Sequence, residues 1–226
     1  MIVYRPDAWI FTVVLVVLFP IADWMVYRRA RSKQTVWLWN ILAEWSLTAA
    51  ALWIALRNGW TLADLGESLG NAFRVLVTLA TVAAVVGALV FLNRKQKKSA
   101  DSRAKFKASV SRLAKILPVN GAERRVFIAV AITAGLCEEL LYRGWLLHFF
   151  AAALGSLWLG FVISCVAFGF AHVYQGRSGV IGTTLLGGVF GAIYLACGGL
   201  VVPQVLHAAM DIWNGFSLGQ VLAEPD

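Results

Sequence analysis

The amino-acid sequence predicts an all-α, polytopic membrane helix bundle with about seven transmembrane helices. Of its 226 residues, 60% are hydrophobic and only 14% are charged, and the mean hydropathy is +0.73. A soluble domain of this length could not bury so much apolar surface. Apolar runs close to the roughly 20 residues that a helical crossing needs recur along the whole chain.

Three of these runs lie in residues 1–93, which we predict to form an N-terminal three-span region. The first run, Ala8 to Tyr27, is long for the core of a signal peptide. It is followed by Arg28 and Arg29 without a small-residue cleavage pattern, so we expect it to be retained. The other two runs extend from Val36 to Leu56 and from Ala72 to Leu92.

Residues 126–226 contain four more runs, which we predict to form a four-span core. Short glycine-rich hinges, at Gly176 to Gly179 and at Gly198 to Gly199, separate the last three runs. The four runs extend from Val126 to about Phe150, from Leu157 to Tyr174, from Gly179 to Ala196, and from Leu200 to Val221.

The basic residues predict the orientation. Of the 20 Lys and Arg, four lie between Arg28 and Lys33 and eleven lie in residues 94–125, whereas residues 57–71 carry one Arg and two acidic residues. The positive-inside rule places the two basic segments in the cytoplasm. Seven spans then leave the N-terminus outside and the C-terminus in the cytoplasm.

The basic cytoplasmic loop, residues 94–125, accounts for the formal net charge of +8. We interpret it as a contact for anionic lipids and expect no nucleic-acid partner. Phe106, Val110, Leu113 and Leu117 are interleaved with Lys and Arg, as in a helix that lies flat on a membrane surface.

Charged residues interrupt the fourth run at Glu138, Glu139 and Arg143. Charges within a membrane span are costly unless they are paired or face water. Glu139 and Arg143 are four residues apart with the acid first, which favours an ion pair on a helix. Glu138 lies about 140° round the helix from Arg143, so it is left as a poorly solvated carboxylate and a candidate general base.

Two later runs carry further polar residues: Phe168 with His172, and His207 with Asp211, each pair at i, i+4 spacing. A lone intramembrane histidine more often makes a helix-to-helix hydrogen bond than it performs chemistry. Three polar clusters on three apolar helices are costly unless they satisfy one another, so we expect them to meet in one site.

Other polar and sulfur-containing residues in the runs have simpler interpretations. Cys137, Cys165 and Cys197 show no metal or redox spacing and are expected to be small core residues. His148 lies at the predicted outer end of the fourth run, where an interfacial position is the default. Glu44, midway along the second run, has no partner that the sequence identifies.

Taken in order, the three polar clusters resemble the motifs of the CPBP family of intramembrane glutamic endopeptidases, which includes the type II CAAX prenyl proteases and the bacteriocin-processing or immunity proteins. The resemblance covers about Val126 to Gly215 and none of the first three spans. It implies hydrolysis of a peptide bond in a membrane-associated peptide or protein, without a cofactor. The motifs are Glu138-Glu139-x-x-x-Arg143, Phe168-x-x-x-His172 and His207-x-x-x-Asp211.

The resemblance also implies roles for these residues. Glu138 and His172 would hold and activate a water molecule, and His207 and Asp211 would bind the oxyanion. The family often has Asn where this chain has Asp211, and an ionised carboxylate cannot donate a hydrogen bond. We expect Asp211 instead to accept from one nitrogen of His207 and so fix the tautomer that presents the other N–H. The supporting residues are Glu139, Arg143 and Phe168.

Other protease chemistries fit the sequence less well. There is no His-Glu-x-x-His zinc motif and we expect no metal, although His172, His207 and Glu138 could form a zinc site of two histidines and a carboxylate. Gly176 to Gly179 spells the Gly-x-Ser-Gly of rhomboid-type proteases, but it falls in a predicted loop, where a turn is the default.

Two functions without proteolysis stay open. An ion- or proton-coupled transporter would also line a cavity with Glu, His and Asp, although the sequence shows no paired inverted repeat. A non-catalytic scaffold or immunity protein could keep the same fold, although the complete set of motif residues argues against it. We favour an intramembrane glutamic protease in the cytoplasmic membrane of a prokaryote, acting on a membrane-embedded or lipid-anchored substrate.

Overall fold

A computed structural model describes residues 5–94 and 100–223, and the side chains of residues 85, 88–94 and 100–105 are not included in that description. Within these ranges the chain forms ten α-helices and no strand, which confirms the predicted all-helical class. The helices are α1 (Pro6–Val13), α2 (Phe19–Arg29), α3 (Lys33–Arg57), α4 (Ala72–Arg94), α5 (Ala100–Ser111), α6 (Gly121–Glu139), α7 (His148–Leu154), α8 (Leu157–Ala171), α9 (Gly176–Cys197) and α10 (Val201–Ala223).

Three helical segments of the described chain are long and apolar enough to cross a membrane: Pro6–Arg29, Lys33–Arg57 and Val173–Cys197. Ala72–Ala84 and Leu157–Ala171 form shorter apolar helices. Large apolar side chains, among them Leu185 and Trp213, are exposed on the outer faces of the bundle, as expected of side chains that face lipid. The molecule is therefore a helical membrane bundle, while seven crossings and their orientation stay predictions.

Two helices continue through π-helical segments, which the sequence does not predict. Val14–Leu18 joins α1 to α2, and Leu140–Leu147 joins α6 to α7. Every residue of Leu140–Leu147 is buried. Short π-helical segments occur often at functional sites, and this one begins directly after Glu139.

Helix α6 packs against α3 and against α10. The Trp37 and Phe127 rings of α3 and α6 lie 6.2 Å apart, and further along the same two helices Trp45 Nε1 donates to Thr133 Oγ1 at 3.1 Å. From the first contact to the second, the residue numbers increase on both helices, so α3 and α6 run parallel. On the other side, a Cβ atom at Gly135 would lie 2.7 Å from the carbonyl oxygen of Gln204, so glycine allows α10 to approach closely.

The predicted boundaries around the fifth span are wrong. Helix α8 ends at Ala171, a 3-10 turn follows, and α9 begins at Gly176 with a φ of 79°, in the left-handed region that favours glycine. The predicted loop from Gly176 to Gly179 is thus the first turn of α9. With 15 residues, α8 is about 22 Å long, shorter than the ~30 Å hydrocarbon layer. His172 therefore follows a helix that ends inside the bundle.

The segment that follows α5 packs against the bundle. Val110 and Leu117 are buried, Trp37 Nε1 donates to the Ile116 carbonyl at 3.0 Å, and Lys115 Nζ donates to the Tyr27 carbonyl at 3.0 Å. This part of the predicted basic loop therefore closes one end of the bundle instead of lying free on a surface. Residues 95–99 of the loop lie outside the described residues.

The predicted orientation is testable by cysteine labelling. A membrane-impermeant thiol reagent is expected to modify a cysteine placed at Asp64 and to spare one placed at Ser102, because the basic residues hold their segment in the cytoplasm. Cys137, Cys165 and Cys197 are free but buried, so the background should be low. Labelling of position 102 without labelling of position 64 would show that the orientation is the opposite of the predicted one.

Candidate active site

A buried ion pair joins Glu139 to Arg143, as their spacing predicts. Arg143 Nη1 lies 3.0 Å from Glu139 Oε1, and the two side chains are 1% and 0% exposed. Arg143 Nη2 also donates to the Gly187 carbonyl of α9 at 3.0 Å, and its guanidinium carbon lies 4.5 Å from the centre of the Phe168 ring on α8. One guanidinium therefore connects three helical segments.

The same carboxylate orients His207. His207 Nδ1 donates to Glu139 Oε1 at 2.8 Å, which connects α10 to α6. The expectation that Asp211 would fix the tautomer of His207 is therefore wrong, because Glu139 occupies that position. Asp211 Oδ2 lies 3.7 Å from the other ring nitrogen, Nε2, a separation longer than a hydrogen bond.

His172 is oriented by the end of its own helix. Its backbone N–H donates to the carbonyl of Gly169, three residues back, at 3.1 Å. The Phe168 carbonyl, which a continuing α-helix would bond through the backbone, instead accepts from Nδ1 of the His172 ring at 2.8 Å. With the Nδ1 proton held there, Nε2 of the neutral imidazole is an acceptor.

Glu138 lies between the two histidines. Its Oε1 is 4.0 Å from His172 Nε2, and its Oε2 is 3.7 Å from His207 Nε2. Polar groups at such separations are often bridged by water. The three sequence clusters, on α6, α8 and α10, do meet at one place, and Glu138 is at its centre.

Aromatic rings surround the histidines. The Phe168 ring centre lies 4.8 Å from that of His172 and 6.0 Å from that of His207. The Phe190 ring stacks on His207, with ring centres 4.9 Å apart. The rings limit how far either imidazole can turn, and they make the surroundings of the carboxylates less polar.

A cavity of about 240 Å³ opens onto this group of residues. Its wall includes the four predicted catalytic residues, Glu138, His172, His207 and Asp211. Asn40 and Glu44 of α3 also line it, as do apolar residues of the segment after α5. Glu44, for which the sequence identified no partner, is therefore part of the site. Its only signal in the sequence was a carboxylate within an apolar span.

No group of three or more His, Cys, Asp and Glu in the described part of the chain is arranged to hold a metal ion. In the alternative zinc site, His172 Nε2 lies 4.0 Å from Glu138 Oε1, and His207 Nε2 lies 3.7 Å from Glu138 Oε2. Zinc dependence is a direct experimental question, addressed below.

The three cysteines and the third histidine do not line this cavity. Cys137, Cys165 and Cys197 are buried, in agreement with the prediction of small core residues. His148 is half-buried, and its Nε2 lies 2.6 Å from the Tyr194 hydroxyl.

The fold and the site together define an all-helical membrane protein with a group of Glu, His and Asp side chains within the bundle. Residues 122–213 match the model of one family, described as type II CAAX prenyl endopeptidase Rce1-like. The match extends from α6 into α10 and confirms the family resemblance that the three motifs carry. At the level of this family, it supports a CAAX-type intramembrane protease that acts on a membrane-associated peptide. No curated protein and no solved structure matches the chain.

Proposed function

We propose that the protein is a glutamic-type intramembrane endopeptidase that hydrolyses a peptide bond in a membrane-embedded or lipid-anchored substrate. The observation that carries this proposal is the position of Glu138. Its two oxygens face the Nε2 atoms of His172 and His207 at 4.0 and 3.7 Å, in the wall of a cavity. A carboxylate beside an imidazole acceptor is suited to activating water, and an imidazole N–H is suited to binding an oxyanion.

The activation of water follows from the two acceptors. A water molecule between Glu138 and His172 can donate one hydrogen to the carboxylate and the other to Nε2 of the neutral imidazole. Its oxygen lone pair is then free to attack the scissile carbonyl carbon while Glu138 takes the proton. The carbonyl π electrons move to oxygen. The proton that Glu138 took then passes to the amide nitrogen as the C–N bond breaks and the oxyanion electrons re-form the carbonyl. The products are an amine and a carboxylic acid, and the acid loses its proton to water.

His207 supplies the oxyanion contact. Because Nδ1–H is held by Glu139, Nε2 carries a hydrogen only when the ring is an imidazolium. Carboxylate oxygens of Glu138, Glu139 and Asp211 all lie within 3.7 Å of the ring nitrogens and provide the opposite charge for that cation. A charged donor of this kind forms stronger hydrogen bonds than a neutral one.

The other parts of the chain have proposed roles around this core. Residues 1–93 would form a three-span region that supports the catalytic core of residues 126–226. The Lys and Arg of residues 94–125 would contact anionic lipids, and the cytoplasmic membrane of a prokaryote is the proposed location. Nucleic acid is not a proposed partner.

The proposed function is tested by incubating purified protein in liposomes with a library of lipid-anchored and transmembrane peptides, and by identifying products by mass spectrometry. His172→Ala is expected to lower hydrolysis about 10²- to 10⁴-fold, because the neutral acceptor for water is lost.

The same assay tests the alternative functions. Activity that disappears with a strong chelator and returns with zinc would replace the glutamic mechanism by a metal mechanism. Ion flux through the liposomes without any cleavage would instead favour the transporter.

Asp211 offers a graded test of the oxyanion site. Its ionised carboxylate cannot donate to the oxyanion, so its expected contribution is the counter-charge to His207. Asp211→Ala is expected to lower kcat/KM by roughly tenfold to thousandfold, as for a misplaced oxyanion donor. Asp211→Asn should retain more activity, because its amide can donate directly. If folded Asp211→Ala keeps a kcat/KM within about twofold of wild type, the reduction is far smaller than expected, and Asp211 does not contribute to the site.

A further inference from the structure

The cavity has a second polar wall, on α3, which the family match does not include. Glu44 lines the cavity, is 4% exposed, and has an oxygen, Oε2, without a hydrogen-bond partner among the described residues. One helical turn away, Asn40 also lines the cavity, and its buried Oδ1 likewise lacks a hydrogen-bond partner among the described residues. A buried acceptor without a donor lowers stability, so the two oxygens point to a missing donor group.

The packing of α3 on α6 fixes the position of this wall. Because the two helices run parallel and Trp45 bonds Thr133, Glu44 lies close to the level of Ile132 and Thr133 of α6. These residues precede Glu138 by five or six positions, about 8 Å along the axis. The unpartnered oxygen of Glu44 is therefore about one and a half helical turns from the proposed reaction centre along the axis, and Asn40 lies one turn further from it.

The charges around the cavity indicate what kind of donor fits. Carboxylates of Glu44, Glu138 and Asp211 line it, and His207 is the cationic partner in their midst. Glu139 adds a fourth carboxylate and Arg143, its ion-pair partner, adds a second cation, so the acidic groups stay in excess. Asp23 of α2 is also buried and interacts electrostatically with Glu44. The wall on α3 thus presents acceptors in an acidic surrounding, which favours a cation over a neutral donor.

We propose that Glu44 and Asn40 form a specificity subsite for a lysine or arginine side chain of the substrate, within about three residues of the cleaved bond. The proposal rests on the proposed function and names the substrate class for the same site. An extended peptide rises about 3.3 Å per residue, so a centre about 8 Å from Glu138 corresponds to about two or three residues along the substrate. Glu44 supplies the opposite charge and Asn40 a second acceptor.

The test uses pairs of short palmitoylated peptides that differ by one residue, lysine or the uncharged norleucine, at each position around the cleaved bond. At one position, wild-type protein is expected to hydrolyse the lysine peptide with a kcat/KM at least about tenfold higher. Glu44→Gln should bring this ratio close to one, and Asn40→Asp should raise it. Since only the ratio is used, a uniform loss of activity in either variant cancels.

A matched control removes a carboxylate of α1 that pairs with the last residue of α3, far from the cavity. Asp7 pairs with Arg57, with Oδ2 and Nη1 3.8 Å apart, about 20 Å along the helix from Glu44. Asp7→Asn should keep the wild-type ratio. If wild-type protein hydrolyses the lysine and norleucine peptides with equal kcat/KM at every position, the subsite is wrong while the proposed function stands. The same holds if folded Glu44→Gln shows the wild-type ratio.

A binding measurement separates the subsite from the hydrolysis. If no peptide is cleaved, fluorescence anisotropy gives the affinity of labelled lysine and norleucine peptides for the detergent-solubilised protein. Tighter binding of the lysine peptide by about tenfold or more, lost in Glu44→Gln, would support the subsite although hydrolysis had failed. Equal affinities would overturn the subsite.

Discussion

Replacing Glu138 by Gln is expected to lower kcat/KM for peptide hydrolysis by about 10²- to 10⁴-fold, the range that positioned general bases contribute. The amide keeps the size of the side chain and can still contact His172 and His207, but it cannot take a proton from water. The measurement is the hydrolysis of a cleaved library peptide by wild-type and variant protein in liposomes. Size-exclusion chromatography in detergent should show both as folded and monodisperse.

The matched control for this variant is Glu123→Gln, the same substitution on the same helix. Glu123 lies in the first turn of α6, where its Oε2 accepts from Val119 N at 2.8 Å and pairs with Lys33 at 2.9 Å. It is about 22 Å along the helix from Glu138, so hydrolysis should remain near the wild-type rate. Full activity in folded Glu138→Gln would show that the glutamic mechanism is wrong.

Replacing Arg143 by Ala is expected to destabilise the protein by about 3–5 kcal/mol, as is found when one partner of a buried ion pair is removed. The variant leaves Glu139 with His207 as its remaining partner and removes the donor to the Gly187 carbonyl. It also removes the cation from the face of the Phe168 ring. The measurement is thermal unfolding in detergent, which should show a lower Tm than wild type.

An exposed ion pair provides the comparison. Arg57 pairs with Asp7 at 3.8 Å, and its side chain is 42% exposed. Such surface pairs contribute about 0–1 kcal/mol, so Arg57→Ala should change the Tm little. Equal Tm values for Arg143→Ala and wild type would contradict a structural role for the Glu139–Arg143 pair.

Local spacing allowed part of this site to be predicted from the sequence. Glu139 and Arg143 are four residues apart on one helix, so the geometry of a single element determines their pairing. The convergence of Glu138, His172 and His207 could be anticipated because polar groups on apolar helices must satisfy one another. The helical membrane class followed from composition alone.

Contacts between helices could not be predicted in the same way. The partner of His207 is Glu139 of another helix, whereas spacing favoured Asp211, four residues away. The depth of His172 depends on where α8 ends, and hydropathy does not mark that end because the apolar run continues through Val173. The π-helical segment Leu140–Leu147 leaves no pattern in the residue types. Glu44 lay in a span that carries no motif, so only the packing of α3 on α6 places it in the site.

The ending of α8 at Ala171 gives the reactive nitrogen of His172 an unusual kind of protection against mutation. The acceptor that holds its Nδ1 proton is the main-chain oxygen of Phe168, and no side-chain replacement at that position can delete it. The orientation of the imidazole therefore depends on the path of the main chain at the end of α8. A change that let α8 continue by another turn would return that oxygen to the backbone ladder and release the ring, although every side chain of the three motifs was still present.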